Sequence, residues 1–267
     1  MYRAKWYEEP VKSVVDLVKF CLLVALLPGS LIHATDAARE QRWIEQTVDS
    51  IVVGTPVYLN ADGHRFLGIY TESETPATRG VIVTHGTGFH PDWYQVVQPV
   101  RVEMTAHGWH TLSIQMPLLD NSAAYEDYVP LYPEVPARLE AATQYLARQG
   151  IDTIVIVAHS QGATMASYYL ANTEHQISAL VAIGMSAQHL QPHINSAESL
   201  KKIALPVLDV FGARDFPAVL RTAGRRKFGA AHNKNYTQVV IPDAYHFFDD
   251  HEDELLETLI SWLDQFN

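Results

Sequence analysis

The run "IVIVA", Ile154 to Ala158, places an apolar side chain at every position. A strand that alternates polar and apolar residues has one wet face. A strand that does not alternate must be covered on both faces, as in the middle of a parallel sheet between helix layers. His159, Ser160, Gln161 and Gly162 follow at once, and then a stretch with Met165, Tyr169 and Leu170 at helical spacing. With no loop between strand and helix, Ser160 falls on a sharp turn at the carboxyl end of a strand, where such sheets bind ligands. A serine there is either a nucleophile held out of the sheet or the cap of the following helix.

The remaining pattern extends the sheet. "TPVYLNADGHRFLGIYTES" predicts an antiparallel hairpin closed by Asp62-Gly63. "RGVIVTHGTG" predicts a short strand ending in a glycine-containing loop, followed by a helix from near Pro99 to a stop at Gly108. "HTLSIQMP" is a further strand, and Pro133 to Gly150 carries Leu139, Ala142, Thr143 and Leu146 on one helical face. After the Ser160 helix come strands "ALVAIGM", "PVLDVFGARD" and "YTQVVIP", then a closing helix with Leu256, Leu259, Ile260 and Leu263. A hairpin followed by strand–helix alternation predicts one α/β domain over residues 45–267, with a mostly parallel sheet and helices on both faces. The about twenty residues from Ser186 to Leu205 leave no room for a large cap domain. With 48% apolar and 18% charged residues, the chain can build the core this requires.

Residues 1–37 read as a secretory signal or other targeting segment. Lys12 and Lys19 precede an apolar stretch, Phe20 to Leu27, and Ala34, Ala37 and Ala38 follow as small residues near a cleavage point. A long leading region with Glu8, Glu9 and Asp16 departs from that pattern, so a membrane anchor or a cytoplasmic protein is the competing expectation. A periplasmic or secreted location is expected, with any membrane contact confined to residues 11–32. The single cysteine, Cys21, excludes an internal disulfide. The net charge of −11 lies in the folded part, because residues 1–37 balance four basic against four acidic side chains. A domain this acidic repels phosphate backbones, so no nucleic-acid partner is expected. The short basic cluster from Arg221 to Lys227 reads as a solvated helix face.

A nucleophilic serine needs a base, an acid to orient that base, and donors for the oxyanion. Each has a residue at a predicted strand end. Asp215 follows "PVLDVFGAR", and His246 follows "YTQVVIPDAY". The order Ser160, Asp215, His246 is that of the α/β-hydrolase fold. The oxyanion donors are the backbone N–H groups of Gln161 and of Thr87, in the loop "THGTGFHPDW". Rival histidines are His251 and His232, and rival acids are Asp209 and Asp243. His85, Gly86 and His159 are expected near the substrate pocket, although His159 also fits a packed position. His85, His90 and Asp92 match no common zinc spacing, so no metal is expected. "YEDYVPLYPEVP", Tyr125 to Pro136, is either a wall of the site or a surface loop.

After residue 45 nearly the whole chain resembles an α/β-hydrolase. The segment "VIVTHGTGFHPDWYQVVQPVRVEMTAHGWHTLSIQMPLL" is similar to a bacterial family of that fold whose members are mostly of unknown function. The resemblance implies the fold and the assignment of Ser160, Asp215 and His246, and gives no substrate. Ala158 stands where glycine is usual in the turn. The expected chemistry is serine hydrolysis of an ester, thioester or amide through an acyl-enzyme, with no cofactor and a small-molecule or acyl substrate. The competing reading is a non-catalytic binding or assembly protein on the same fold. The sequence leaves the oligomeric state open.

Overall fold

A computed structural model of the chain describes residues 34–266. The targeting segment expected at 1–37, apart from its last four residues, and the membrane contact expected at 11–32 lie outside the described residues.

Eight strands form one sheet in the order β1-β2-β4-β3-β5-β6-β7-β8. β1 (Thr55–Ala61) and β2 (His64–Thr71) are the expected hairpin. Its turn holds Asp62 at φ 51° and Gly63 at φ 88°, the two positive values a two-residue turn demands. β2 pairs antiparallel with β4 (His110–Ile114). From there the sheet is parallel, through β3 (Arg79–Thr84), β5 (Thr153–His159), β6 (Ile177–Ile183), β7 (Val207–Gly212) and β8 (Tyr236–Ile241).

The unbroken apolar character of β5 is explained by its two neighbours. Ile154, Ile156 and Ala158 join one core cluster with α3 (Val135–Arg148) and α4 (Gln161–Asn172). Val155 and Val157 point the other way, into a second cluster with α2 (Val97–Glu103) and α7 (Glu252–Leu263). Each such buried isoleucine or valine side chain contributes about 1.5–3 kcal/mol. α2 starts two residues before the expected Pro99 and tightens into a 3-10 turn, Met104–His107, which Gly108 ends in the left-handed conformation at φ 77°. The Ser186 to Leu205 segment holds only a 3-10 turn, Pro192–Ile194, and the short helix α5 (Ser196–Leu200).

Two expectations are corrected. The folded unit begins upstream of residue 45, because helix α1 (Ala37–Thr47) belongs to it. Asp36 caps α1 by accepting from the Arg39 N–H at 2.9 Å. Glu40, on the next turn, is buried and bridges to Arg138 of α3 at 2.7 Å and to the Thr35 hydroxyl at 2.6 Å. Burial pushes the Glu40 carboxyl up, but the His64 hydrogen bond and the Arg138 charge more than reverse it, holding the group below its usual range. Cleavage after Ala37 would strip Thr35 and Asp36 from these bonds. The basic cluster, on α6 (Pro217–Gly229), is not uniformly solvated either. Arg226 is fully buried, with its guanidinium 2.8 Å from Asp209 of β7, which also accepts from Tyr236 and Gln238.

Candidate active site

β5, β7 and β8 end on one side of the sheet, and the residues after them meet there. Ser160 occupies the single residue between β5 and α4, at φ 56° and ψ −121°, a conformation few non-glycine residues adopt. Its backbone N–H donates to Ile183 O at 2.8 Å, which pins the turn against β6. The side chain makes no capping bond to α4. Instead its Oγ lies 2.9 Å from His246 Nε2. The capping alternative is therefore excluded by where the hydroxyl points.

His246 Nδ1 lies 2.6 Å from Asp215 Oδ1, which also accepts from the Phe216 N–H at 2.6 Å. The Nδ1–carboxylate contact places the ring proton on Nδ1 and leaves Nε2 as the acceptor for a hydroxyl. The rivals are otherwise engaged. Asp209 is held by Arg226, and Asp243 is an exposed partner of Arg214. His251 is the N-cap residue of α7, directly before the acidic first turn Glu252–Asp253–Glu254, and His232 is exposed. A hydroxyl bonded to an imidazole, itself oriented by a buried carboxylate, can lose its proton as it attacks a carbonyl.

The loop after β3 passes tightly over the serine. A Cβ built on Gly86 would stand 3.0 Å from Ser160 Cβ, so the close approach calls for glycine. Thr87, next in line, donates its hydroxyl to Gln161 Oε1 at 2.7 Å, joining the two residues expected to carry the oxyanion donors. Gln161 opens α4, where backbone N–H groups have no partner within the helix.

The expected pocket residues His85, Gly86 and His159 are set behind the cavity rather than in its lining. Their side-chain direction at a turn depends on the local ψ, which spacing does not reveal. His85 Nε2 accepts from the Met116 N–H at 2.9 Å, so Nδ1 carries the proton and donates to Gly86 O at 2.8 Å. Burial lowers the His85 pKa to about 3, keeping the ring neutral. His159 donates from Nε2 to the His246 carbonyl at 3.1 Å, and burial holds it far below the ordinary imidazole range.

The cavity itself has a volume of about 540 Å³ and opens onto Ser160 and His246. Phe89, Phe216 and Phe247 supply its aromatic walls, and Phe216 stacks on the His246 ring at 4.1 Å. Tyr125 is the fourth aromatic wall, with its hydroxyl near Thr164 and Ser186. The "YEDYVPLYPEVP" segment thus forms a wall, as a 3-10 stretch from Tyr125 to Glu134 with Tyr128 and Tyr132 buried beneath it. Phe216 and Phe247 each adjoin a residue picked out from the sequence, and that adjacency was the available signal for them. Arg221 also lines the cavity, four residues beyond Pro217 on α6.

The sheet order, the strand–turn–helix at Ser160 and the three converging side chains define an α/β-hydrolase fold. The chain belongs to the family described as "Protein of unknown function (DUF3530)", whose profile matches residues 54–132 and 131–265. Among solved structures it is similar to Est1E from Butyrivibrio proteoclasticus at TM-score 0.65 and 17% identity, covering 79% of this chain and 98% of that one. An alpha-beta serine hydrolase homologue from Coxiella burnetii matches at TM-score 0.63 and 18% identity, over 79% and 98% of the two chains. The esterase Pf2001 from Pyrococcus furiosus matches at 0.65 and 16%, over 79% and 92%. No curated protein matches the sequence.

Proposed function

We propose that the protein is a serine hydrolase that cleaves carboxylic esters, with thioesters and amides as the neighbouring possibilities. One observation carries this reading: His246 Nε2 stands 2.9 Å from Ser160 Oγ, at the wall of an apolar cavity sized for a small molecule. Structural neighbours that are esterases, Pf2001 among them, support it.

In this reading His246 takes the Ser160 proton as Oγ bonds to the substrate carbonyl carbon. Asp215 holds Nδ1–H and stabilises the imidazolium without itself being protonated. The carbonyl oxygen gains the negative charge and meets the N–H groups of Gln161 and Thr87, each donor typically worth about 3 kcal/mol in the barrier. The imidazolium returns its proton to the leaving oxygen as the C–O bond breaks. Water, deprotonated by the same imidazole, then releases the acid from the acyl-serine.

The test is labelling of the folded protein with a fluorophosphonate probe beside Ser160→Ala. Covalent labelling of the wild type, lost in the variant, together with turnover of short aryl esters, is the expected result. A folded wild type that stays unlabelled sinks the hydrolase reading and favours a binding role on the same fold.

A further inference from the structure

The cavity carries one permanent charge, and it is positive. Pro217, Ala218, Val219 and Arg221, all in the first turns of α6, line it, with Arg221 one turn beyond Pro217 and Ala218. No aspartate or glutamate is among the lining residues. Elsewhere in this acidic molecule arginines near the sheet are matched: Arg101 with Asp92, Arg138 with Glu40, Arg214 with Asp243 and Arg226 with Asp209. Arg221 is exposed and has no ion-pair or hydrogen-bond partner among the described residues. Opposite α6, the segment after β6 is tied to the helix by the Ala187 N–H, which donates to Thr222 Oγ1 at 3.0 Å. That bond sets Gln188 beside the helix turn that carries Arg221, and Gln188 lines the same cavity with its amide free of any partner among the described residues.

We propose that Arg221, with the Gln188 amide, receives a carboxylate carried by the substrate in addition to the bond that is cut. The substrate class is then a singly anionic ester with an aromatic or alkyl body, which fills the Phe89, Phe216 and Phe247 walls. A guanidinium fork suits a carboxylate better than a diffuse charge does, and partial exclusion of water by the apolar walls strengthens the pairing. The overall charge of −11 repels polyanions at a distance, so one carboxylate, not several, fits this site. The proposal rests on the hydrolase reading for the cleavage step but not for the binding of the anion.

Two measurements separate those parts. In the first, kcat/KM is compared for phenyl butyrate, the phenyl half-ester of glutaric acid, and the butyryl ester of hydroxybenzoic acid. These carry no carboxylate, a carboxylate on the acyl side, and a carboxylate on the leaving side. The wild type should favour one charged ester over the neutral one. Arg221→Gln should lower that charged-to-neutral ratio by about five- to tenfold, and Arg221→Lys by less. Raised ionic strength should shrink the wild-type preference. A ratio that Arg221→Gln does not move, or a wild type that prefers the neutral ester over both others, overturns the proposal. In the second, phenylbutyrate and its uncharged amide are titrated calorimetrically into Ser160→Ala with and without Arg221→Gln. Tighter binding of the carboxylate that depends on Arg221 supports the anion site even where no ester is turned over, in which case the hydrolase reading alone fails. Equal binding of acid and amide in both proteins removes the anion site whatever the hydrolytic result.

Discussion

Three histidines near the site, His85 and His159 buried and His90 half-buried, are held neutral, and their neutrality links stability to pH. Burial lowers His85 to about 3 and His90 to about 4, and holds His159 well below the ordinary imidazole range. In the unfolded chain the same rings take up protons near pH 6.5. The unfolded state therefore binds more protons between those values, so the stability these rings contribute is fully present above about pH 6.5 and is lost progressively as pH falls below it. Urea midpoints measured from pH 7 to pH 5 should fall by an amount equivalent to at most about 1.4 kcal/mol per pH unit for each ring. His85→Gln should flatten that dependence by about one ring's share, and an unchanged slope would contradict the neutral assignment. A second effect at this scale concerns the Thr87–Gln161 bridge. Thr87→Val leaves Gln161 Oε1 without its 2.7 Å donor. We expect kcat on a short ester to drop about tenfold with KM little changed, and Thr87→Ser to restore most of it.

The strand–turn–helix at Ser160 depends on how closely two elements approach. A Cβ on Gly162, in the first turn of α4, would lie 2.5 Å from His85 O and 2.8 Å from Thr84 Oγ1. Gly162→Ala must push α4 off the β3 loop, and should destabilise the fold by about 1–3 kcal/mol in a denaturant titration. Across the sheet, Arg226→Leu strands the Asp209 carboxylate in the core between β7 and α6. Its expected loss is about 3–5 kcal/mol, read as a fall in thermal midpoint, and Asp209→Asn in the same chain should recover part of it. Elements of this kind were legible beforehand where periodicity was strong, as in β5, α3 and α7. They were less so where local signals compete. The prolines and tyrosines of Tyr125–Glu134 suit a loop as well as a 3-10 wall, and only the burial of Tyr128 and Tyr132 separates the two. The order of Ser160, Asp215 and His246 was readable because strand ends gather by topology. The cavity walls were not, since Arg221 is placed by the packing of α6 and not by any motif.

For the molecule as a whole, the folded unit includes α1, which begins at the last residue assigned to the targeting segment in the sequence. A boundary drawn at residue 45 left Glu40 out and hid its pair with Arg138, which spans ninety-eight positions of chain. A chain begun at residue 45 would leave Arg138 buried without Glu40, whereas one begun at residue 34 keeps the pair. The shorter chain should be recovered insoluble or with a markedly lower thermal midpoint, and equal midpoints would show that α1 is an accessory. The positive φ of Ser160 bears on the molecule at this scale too. A non-glycine residue in that conformation stores about 1–3 kcal/mol. Glycine would relieve this strain while giving back part of the gain as chain entropy. Selection for thermal endurance alone should therefore drift toward Ser160→Gly, so an unbiased stability screen of this protein would enrich molecules that lack the hydroxyl to which the proposed hydrolase chemistry assigns the nucleophile.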